Sequence, residues 1–196
     1  MQKKEDNGIK YIFTKGLILI VTGLMFGLMS LPVLAIKSDF WAVVFSLVII
    51  VPYFYVIFIS GRMSGEYCYK MIRKNQLKVQ QGQAVAKGQK LLEYHWAKGL
   101  LFSVLFPAWQ IILLILGLII KNGILCGIVA IYNMGFMGIL SVFGLYKAGA
   151  DMLDLLFLII ILLLTAAFEA GYITGGEKLK KQHQEIESEI RFFNSL

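Results

Sequence analysis

Residues 124–145 read ILCGIVAIYNMGFMGILSVFGL, and whether this run crosses a membrane decides the fold. The run is apolar and long enough to cross a hydrocarbon core, which takes about 20 helical residues. Yet Gly127, Gly135, Gly138 and Gly144 interrupt it, and Asn133 sits near its centre. Four other runs carry no such ambiguity: 16–36, 41–60, 99–120 and 152–172. Lipid offers backbone N–H and C=O groups no partners, so each must be helical.

Composition leaves little else open. Of 196 residues, 58% are hydrophobic and only 16% charged, with a mean hydropathy of +0.73. Soluble domains are about 25% charged. The balance excludes a disordered chain, a soluble nucleic-acid-binding domain and almost any soluble enzyme. It predicts an all-α integral membrane protein forming one membrane domain over residues 1–196, with no nucleic acid as partner.

Charge then chooses the number of passages, because Lys and Arg near span ends are retained on the cytoplasmic side. Four crossings with the N-terminus inside place 16 of the 19 basic residues in the cytoplasm and leave Lys37, Lys121 and Lys147 outside. Five crossings give 13 against 6. Four is therefore the expectation, five the alternative. It makes 61–98 a basic cytoplasmic loop, 121–150 an outer-side insertion and 177–196 a cytoplasmic tail.

An internal repeat gives the same count. Tyr11-Ile-Phe-Thr-Lys15-Gly16-Leu17 opens the first span, and Tyr94-His-Trp-Ala-Lys98-Gly99-Leu100 opens the third. Gly61-Arg-Met-Ser-Gly65-Glu66 closes the second, and Gly171-Tyr-Ile-Thr-Gly175-Gly176-Glu177 closes the last. Each half reads as a hairpin, so the fold is two tandem hairpins; same-way repeats are an established route to membrane bundles. The second half is the longer, and its excess matches the length of the Gly-rich run, which is expected to be re-entrant or interfacial. A signal peptide cleaved after Val33-Leu34-Ala35 is the competing reading of the N-terminus, but the apolar run exceeds the usual 7–15 residues of such a segment.

Chemistry-bearing motifs are few. Cys68 and Cys126 fall on opposite sides of the membrane on this topology, and His95 and His183 lack metal-ligand spacing. Gly82-Gln-Ala-Val-Ala-Lys87-Gly88 misses the phosphate-loop spacing and follows no strand. No catalytic, metal or cofactor residue is assigned. Small residues carry a packing mechanism instead. Gly23/Gly27, Gly61/Gly65 and Gly171/Gly175 are four apart, which lets helix backbones approach closely in lipid, within the chain or against a partner helix.

Pro52 and Pro107 each lie nine residues from the inner boundary, about 13 Å along a helix and near the bilayer centre. Each removes a backbone hydrogen bond and kinks its helix. Gln110, one turn beyond Pro107, is the most central strong polar side chain. Broken helices at the midplane are where transporters hold substrates. Glu169 is the one carboxylate within a span rather than at its edge. Intramembrane acids are functional candidates by default, and pairing with Arg62 or Lys98 by snorkelling is the simpler expectation. In the tail, Leu179, His183, Ile186, Ile190 and Phe193 form an apolar seam of an amphipathic helix. Lys70, Arg73, Lys74 and Lys78 in the 61–98 loop would attract anionic headgroups of the bilayer, at about 1 kcal/mol per residue.

Carried by Gly61, Gly65, Asn75, Lys98, Gly99, Gly171, Tyr172 and Gly175, over about half its length, the chain resembles small uncharacterised multi-span membrane proteins of low-GC Gram-positive bacteria. Sixteen Lys against three Arg agrees with an AT-rich genome. The resemblance implies a bacterial cytoplasmic membrane and no particular activity. The expected function is a non-enzymatic subunit or regulator of a membrane assembly, partnered by another membrane protein or by itself. The alternative is a small permease or channel formed by self-association around Pro52, Pro107, Gln110 and Glu169. A lipid-acting enzyme is the remote third.

Overall fold

Apolar runs this long have one low-energy solution, and the chain adopts it. A computed structural model describes residues 7–85, 90, 93–105, 107–120, 123–136, 139–140 and 150–193, and among these every regular element is helical. The helices are α1 (Asn7–Met29), α2 (Asp39–Gln80), α3 (Trp96–Leu105), α4 (Ala108–Ile120), α5 (Gly123–Tyr132) and α6 (Ala150–Phe193), with 3-10 turns at Leu31–Ala35 and Met134–Phe136. Three helices are long and apolar enough to cross a membrane, four if α3 and α4 count as one bent passage. Of the residues singled out above, Lys87, Gly88, Lys121, Gly138, Gly144 and Lys147 lie outside the described residues.

The spine is the α2–α6 pair. A β-carbon on Gly61 would strike the Phe168 carbonyl, and one on Gly65 the Tyr172 carbonyl. Reciprocally, Gly171 faces the Phe58 carbonyl and Gly175 the Arg62 carbonyl. Contacts advance together along both chains, so the two helices run parallel. Four glycines thus interlock backbone against backbone, the approach that compensates in lipid for the missing hydrophobic drive.

The shorter helices flank this spine. α1 runs antiparallel to α2: Tyr11 stacks on Tyr67 at 4.2 Å and its hydroxyl donates to Ser64 Oγ at 3.4 Å, while Phe26 meets Tyr53 at 5.0 Å further along. α3 runs antiparallel to α6. Tyr94, just before it, stacks on Tyr172 at 5.3 Å and donates to Glu177 at 3.3 Å; Gly99 faces Glu169 and Tyr172, and Phe102 meets the Tyr172 ring. Tyr11 and Tyr94 hold the same place in the two repeat openings. Their neighbours Tyr67 and Glu177 hold the same place in the two exits, each two positions beyond the second glycine.

Three expectations need correction. Residues 61–80 of the expected loop are helical: α2 continues unbroken to Gln80, because Cys68, Met71 and Asn75 recur at helical spacing and are buried. The tail is not a separate helix. α6 runs from Ala150 to Phe193 through Gly175 and Gly176, whose small size serves contact with α2 and with the Tyr94 ring rather than a chain break. Finally, of the two expected proline kinks only one is found: α3 and α4 meet at a 47° bend beside Pro107, whereas Pro52 leaves α2 continuous. α6 braces α2 over most of its length; α4 instead tilts at Pro107 to pack along α5.

Candidate functional site

α5 carries the interior polar chemistry. It lies antiparallel along α4, with Cys126 against Gly117 at one end and Trp109 edge-on to Tyr132 at 4.9 Å at the other. Ten residues make about 15 Å of helix. The chain then turns at Met134–Phe136, where Gly135 meets Ile49 and Ile50, and Phe136 meets Phe54 at 6.1 Å. On its other side α5 uses α1: Gly23 faces the Tyr132 ring, Gly27 faces the Ile131 and Tyr132 carbonyls, and Tyr132 Oη donates to Leu19 O at 3.2 Å.

Two carboxamides meet at its tip. Asn133 Nδ2 donates to Gln110 Oε1 at 2.8 Å and to Val129 O at 3.0 Å, with both side chains essentially fully buried. Unbonded amides are costly in an apolar interior, so two that lie close pair with each other. The pairing is incomplete. Gln110 Nε2, Asn133 Oδ1 and Trp109 Nε1 have no hydrogen-bond partner among the described residues. The adjoining cavity, lined in part by Tyr53, Tyr132 and Asn133, measures about 10 Å³. That is roughly the room one water needs, far below a substrate site.

The other positions named from the sequence scatter. Pro52 is exposed on the outer face of α2, while Pro107 is fully buried at the α3–α4 bend. Glu169 is half-buried beside Gly99, away from Gln110, and its Oε2 has no partner among the described residues. Its expected pairing is overturned. Arg62 pairs with Glu66 on its own helix at 3.2 Å, and Lys98 donates to the Lys90 and Glu93 carbonyls at 3.1 and 3.0 Å. The glycine interlock sets Arg62 backbone against α6, and the chain before α3 folds its carbonyls over Lys98. All six glycines named for packing meet other helices of this chain.

Sequence reading missed the partnership of Asn133 with Gln110 and the role of Tyr132 as the α5 anchor. The available signal was a carboxamide in each of two apolar runs. Beyond the glycine interlock, α2 and α6 run on side by side. Tyr69 meets His183 at 5.9 Å, and Arg73 reaches Glu187 at 3.5 Å. Their far ends leave Leu77, Val79 and Ile186 more than half exposed. At the base of this extension burial first, and then the neighbouring Glu177 carboxylate, push the Tyr94 phenol up to about 12. Among the described residues no three His, Cys, Asp or Glu side chains converge on a metal-sized site. No known protein family, curated protein or solved structure matches the chain.

Proposed function

We propose that this chain is a non-enzymatic component of a bacterial cytoplasmic membrane that presents a two-helix stalk to a partner protein of a larger assembly. It crosses four times as two tandem hairpins, with both termini in the cytoplasm and α5 dipping into the outer leaflet as a re-entrant segment. One observation carries the reading. α2 and α6 run parallel for 42 and 44 residues, about 63 and 66 Å, against a hydrocarbon core of about 30 Å.

Two helices pointing the same way need an odd number of passages between them. α3 with α4 supplies one, and α5, about 15 Å long and ending beside Gln110, covers only half a passage and is therefore read as re-entrant. The surplus length of α2 and α6 emerges at one end, with Lys70, Arg73, Lys74, Lys78, Lys178, Lys180 and Lys181 on it. That is the sign the cytoplasmic side retains. Because the glycine faces are occupied within the chain, outward contact falls to the exposed Leu77, Val79 and Ile186 at the stalk tip.

A photoreactive side chain at Leu77 or Ile186, activated in native membranes, should yield one discrete protein adduct. No adduct, together with only monomer in mild detergent, would refute the docking role. For the topology, Ser188→Cys should react with an impermeant maleimide only after the cells are opened. Reaction from the external medium would mean five passages.

A self-associating permease remains a second reading, favoured by the unpartnered Gln110 Nε2 and Asn133 Oδ1. It requires that Gln110→Leu or Glu169→Gln abolish a measurable flux at unchanged expression.

A further inference from the structure

The two hairpins surround one pair of equivalent glycines differently. Gly99 in α3 is demanded by its surroundings, since a β-carbon there would strike Glu169 and Tyr172. Gly16 in α1, its counterpart in the first Lys-Gly-Leu motif, has nothing within 4 Å of the same point. Glycine inside a helix is less favourable than alanine, and no described group of this chain accounts for one at position 16. What lies there is a groove of about 460 Å³ between α1 and α3, floored by Ser64, Phe102 and Phe168 and walled by Leu19 and Ile20.

The groove is apolar along its length and polar at one end. From Tyr11 to Ile20 it follows α1 for about 14 Å. Lys15 and Tyr11 stand at the end where the stalk emerges, the ammonium 5.9 Å from the Tyr11 ring centroid. No described carboxylate forms an ion pair with Lys15. We propose that this groove is a binding site for an anionic phospholipid of the stalk-side leaflet, with one acyl chain lying along Gly16 and its phosphate held by Lys15. Charge complementarity chooses the occupant: a hydrocarbon channel ending in a cation that no described carboxylate neutralises matches a lipid tail ending in phosphate. The site uses the membrane placement of α1 and is independent of any stalk partner.

The test is lipid retention by the full chain. The protein is incubated in phosphatidylcholine bilayers doped with phosphatidylglycerol, re-extracted in mild detergent and weighed by native mass spectrometry. Wild type should retain phosphatidylglycerol in preference to phosphatidylcholine. Lys15→Gln should lower phosphatidylglycerol retention about fivefold, the ratio set by roughly 1 kcal/mol for one basic residue at an anionic surface, and leave phosphatidylcholine unchanged. A β-carbon at position 16 has nothing within 4 Å and leucine extends from there into the groove, so Gly16→Leu should lose both lipids while keeping wild-type helicity. Equal retention of the two headgroups by wild type would overturn the phosphate contact, and wild-type retention by Gly16→Leu would overturn the groove. A photocrosslink from position 16 to a protein instead of lipid would assign the groove to a partner helix and also overturn the proposal. Should Gly16→Leu fail to fold, Lys15→Gln still decides.

Discussion

Gly171→Ala puts the α2–α6 interlock to the most direct trial. The new β-carbon would meet the Phe58 carbonyl oxygen, with the carbonyl carbon at 2.9 Å and Arg62 N at 3.0 Å. Ordinary contact begins near 3.4 Å and the carbonyl oxygen lies closest of all, so the helices must part by at least about 1 Å. A gap of about 0.5–1 Å forfeits roughly a quarter to a half of each dispersion well along the seam. Overpacking of this kind costs about 1–3 kcal/mol, and the upper end applies because backbone cannot rotate aside. Alanine returns about 1 kcal/mol in helix propensity. The net is about 2 kcal/mol of weakened pairing, close to thirtyfold in the opening equilibrium.

Cys68 reads that equilibrium. It is fully buried one turn beyond Gly65, and its carbonyl takes the Tyr94 N–H at 3.2 Å. In a Cys126→Ser background, membrane-permeant N-ethylmaleimide reaches it only when the helices separate. Gly171→Ala should therefore raise its labelling rate about thirtyfold. Gly16→Ala, which meets nothing, should leave the rate where it was. If Gly171→Ala labels no faster than Gly16→Ala, the interlock is not what holds the spine together.

Further outcomes follow from other contacts. Gln110→Leu should destabilise the detergent-solubilised protein by about 1 kcal/mol in thermal unfolding, because Asn133 Nδ2 loses a partner while an orphan Nε2 is removed. Adding Asn133→Leu should recover most of that loss, with a coupling of about 0.6–1.7 kcal/mol as for other intramembrane hydrogen bonds; purely additive losses would deny the pairing. Tyr94 has a phenol raised by folding, so its contribution is fully present below pH 10 and fades as pH rises from 10 towards about 12. Tyr94→Phe should remove a late-titrating component from the tyrosinate absorbance, and an unchanged titration would contradict its enclosure. Arg73→Ala should shift unfolding by under about 1 kcal/mol, since both members of its pair with Glu187 are half exposed; a larger effect would mean that the stalk depends on that ion pair.

Much of this architecture was legible before any coordinates. Hydropathy marked the apolar runs, because a backbone in lipid has only the helix available. The repeated motifs identified the two tyrosine openings and the two glycine exits that prove to meet the spine at matching levels. Spacing showed that Gly61, Gly65, Gly171 and Gly175 pack against something; that they interlock with one another is a tertiary fact, since any glycine face fits any other. Pro52 and Pro107 read alike in sequence, yet α2 is continuous through Pro52 while a bend accompanies Pro107, where α4 turns away to pack along α5.

The helix ends were the least readable feature. Polar stretches 61–80 and 177–193 read as a loop and a short amphipathic helix when each is taken alone, because neither is apolar enough to mark a span. Side by side they bury Cys68, Met71 and Asn75, and the helices run on. Gly16 and Gly99 stand in the same Lys-Gly-Leu motif, and only the packing separates a glycine pressed against Tyr172 from one facing an open groove. Residue type determined, for this chain, what must avoid water and what must stay charged. Which surfaces found each other was left to shape, because contact depends on the positions of helices that sequence distance does not encode.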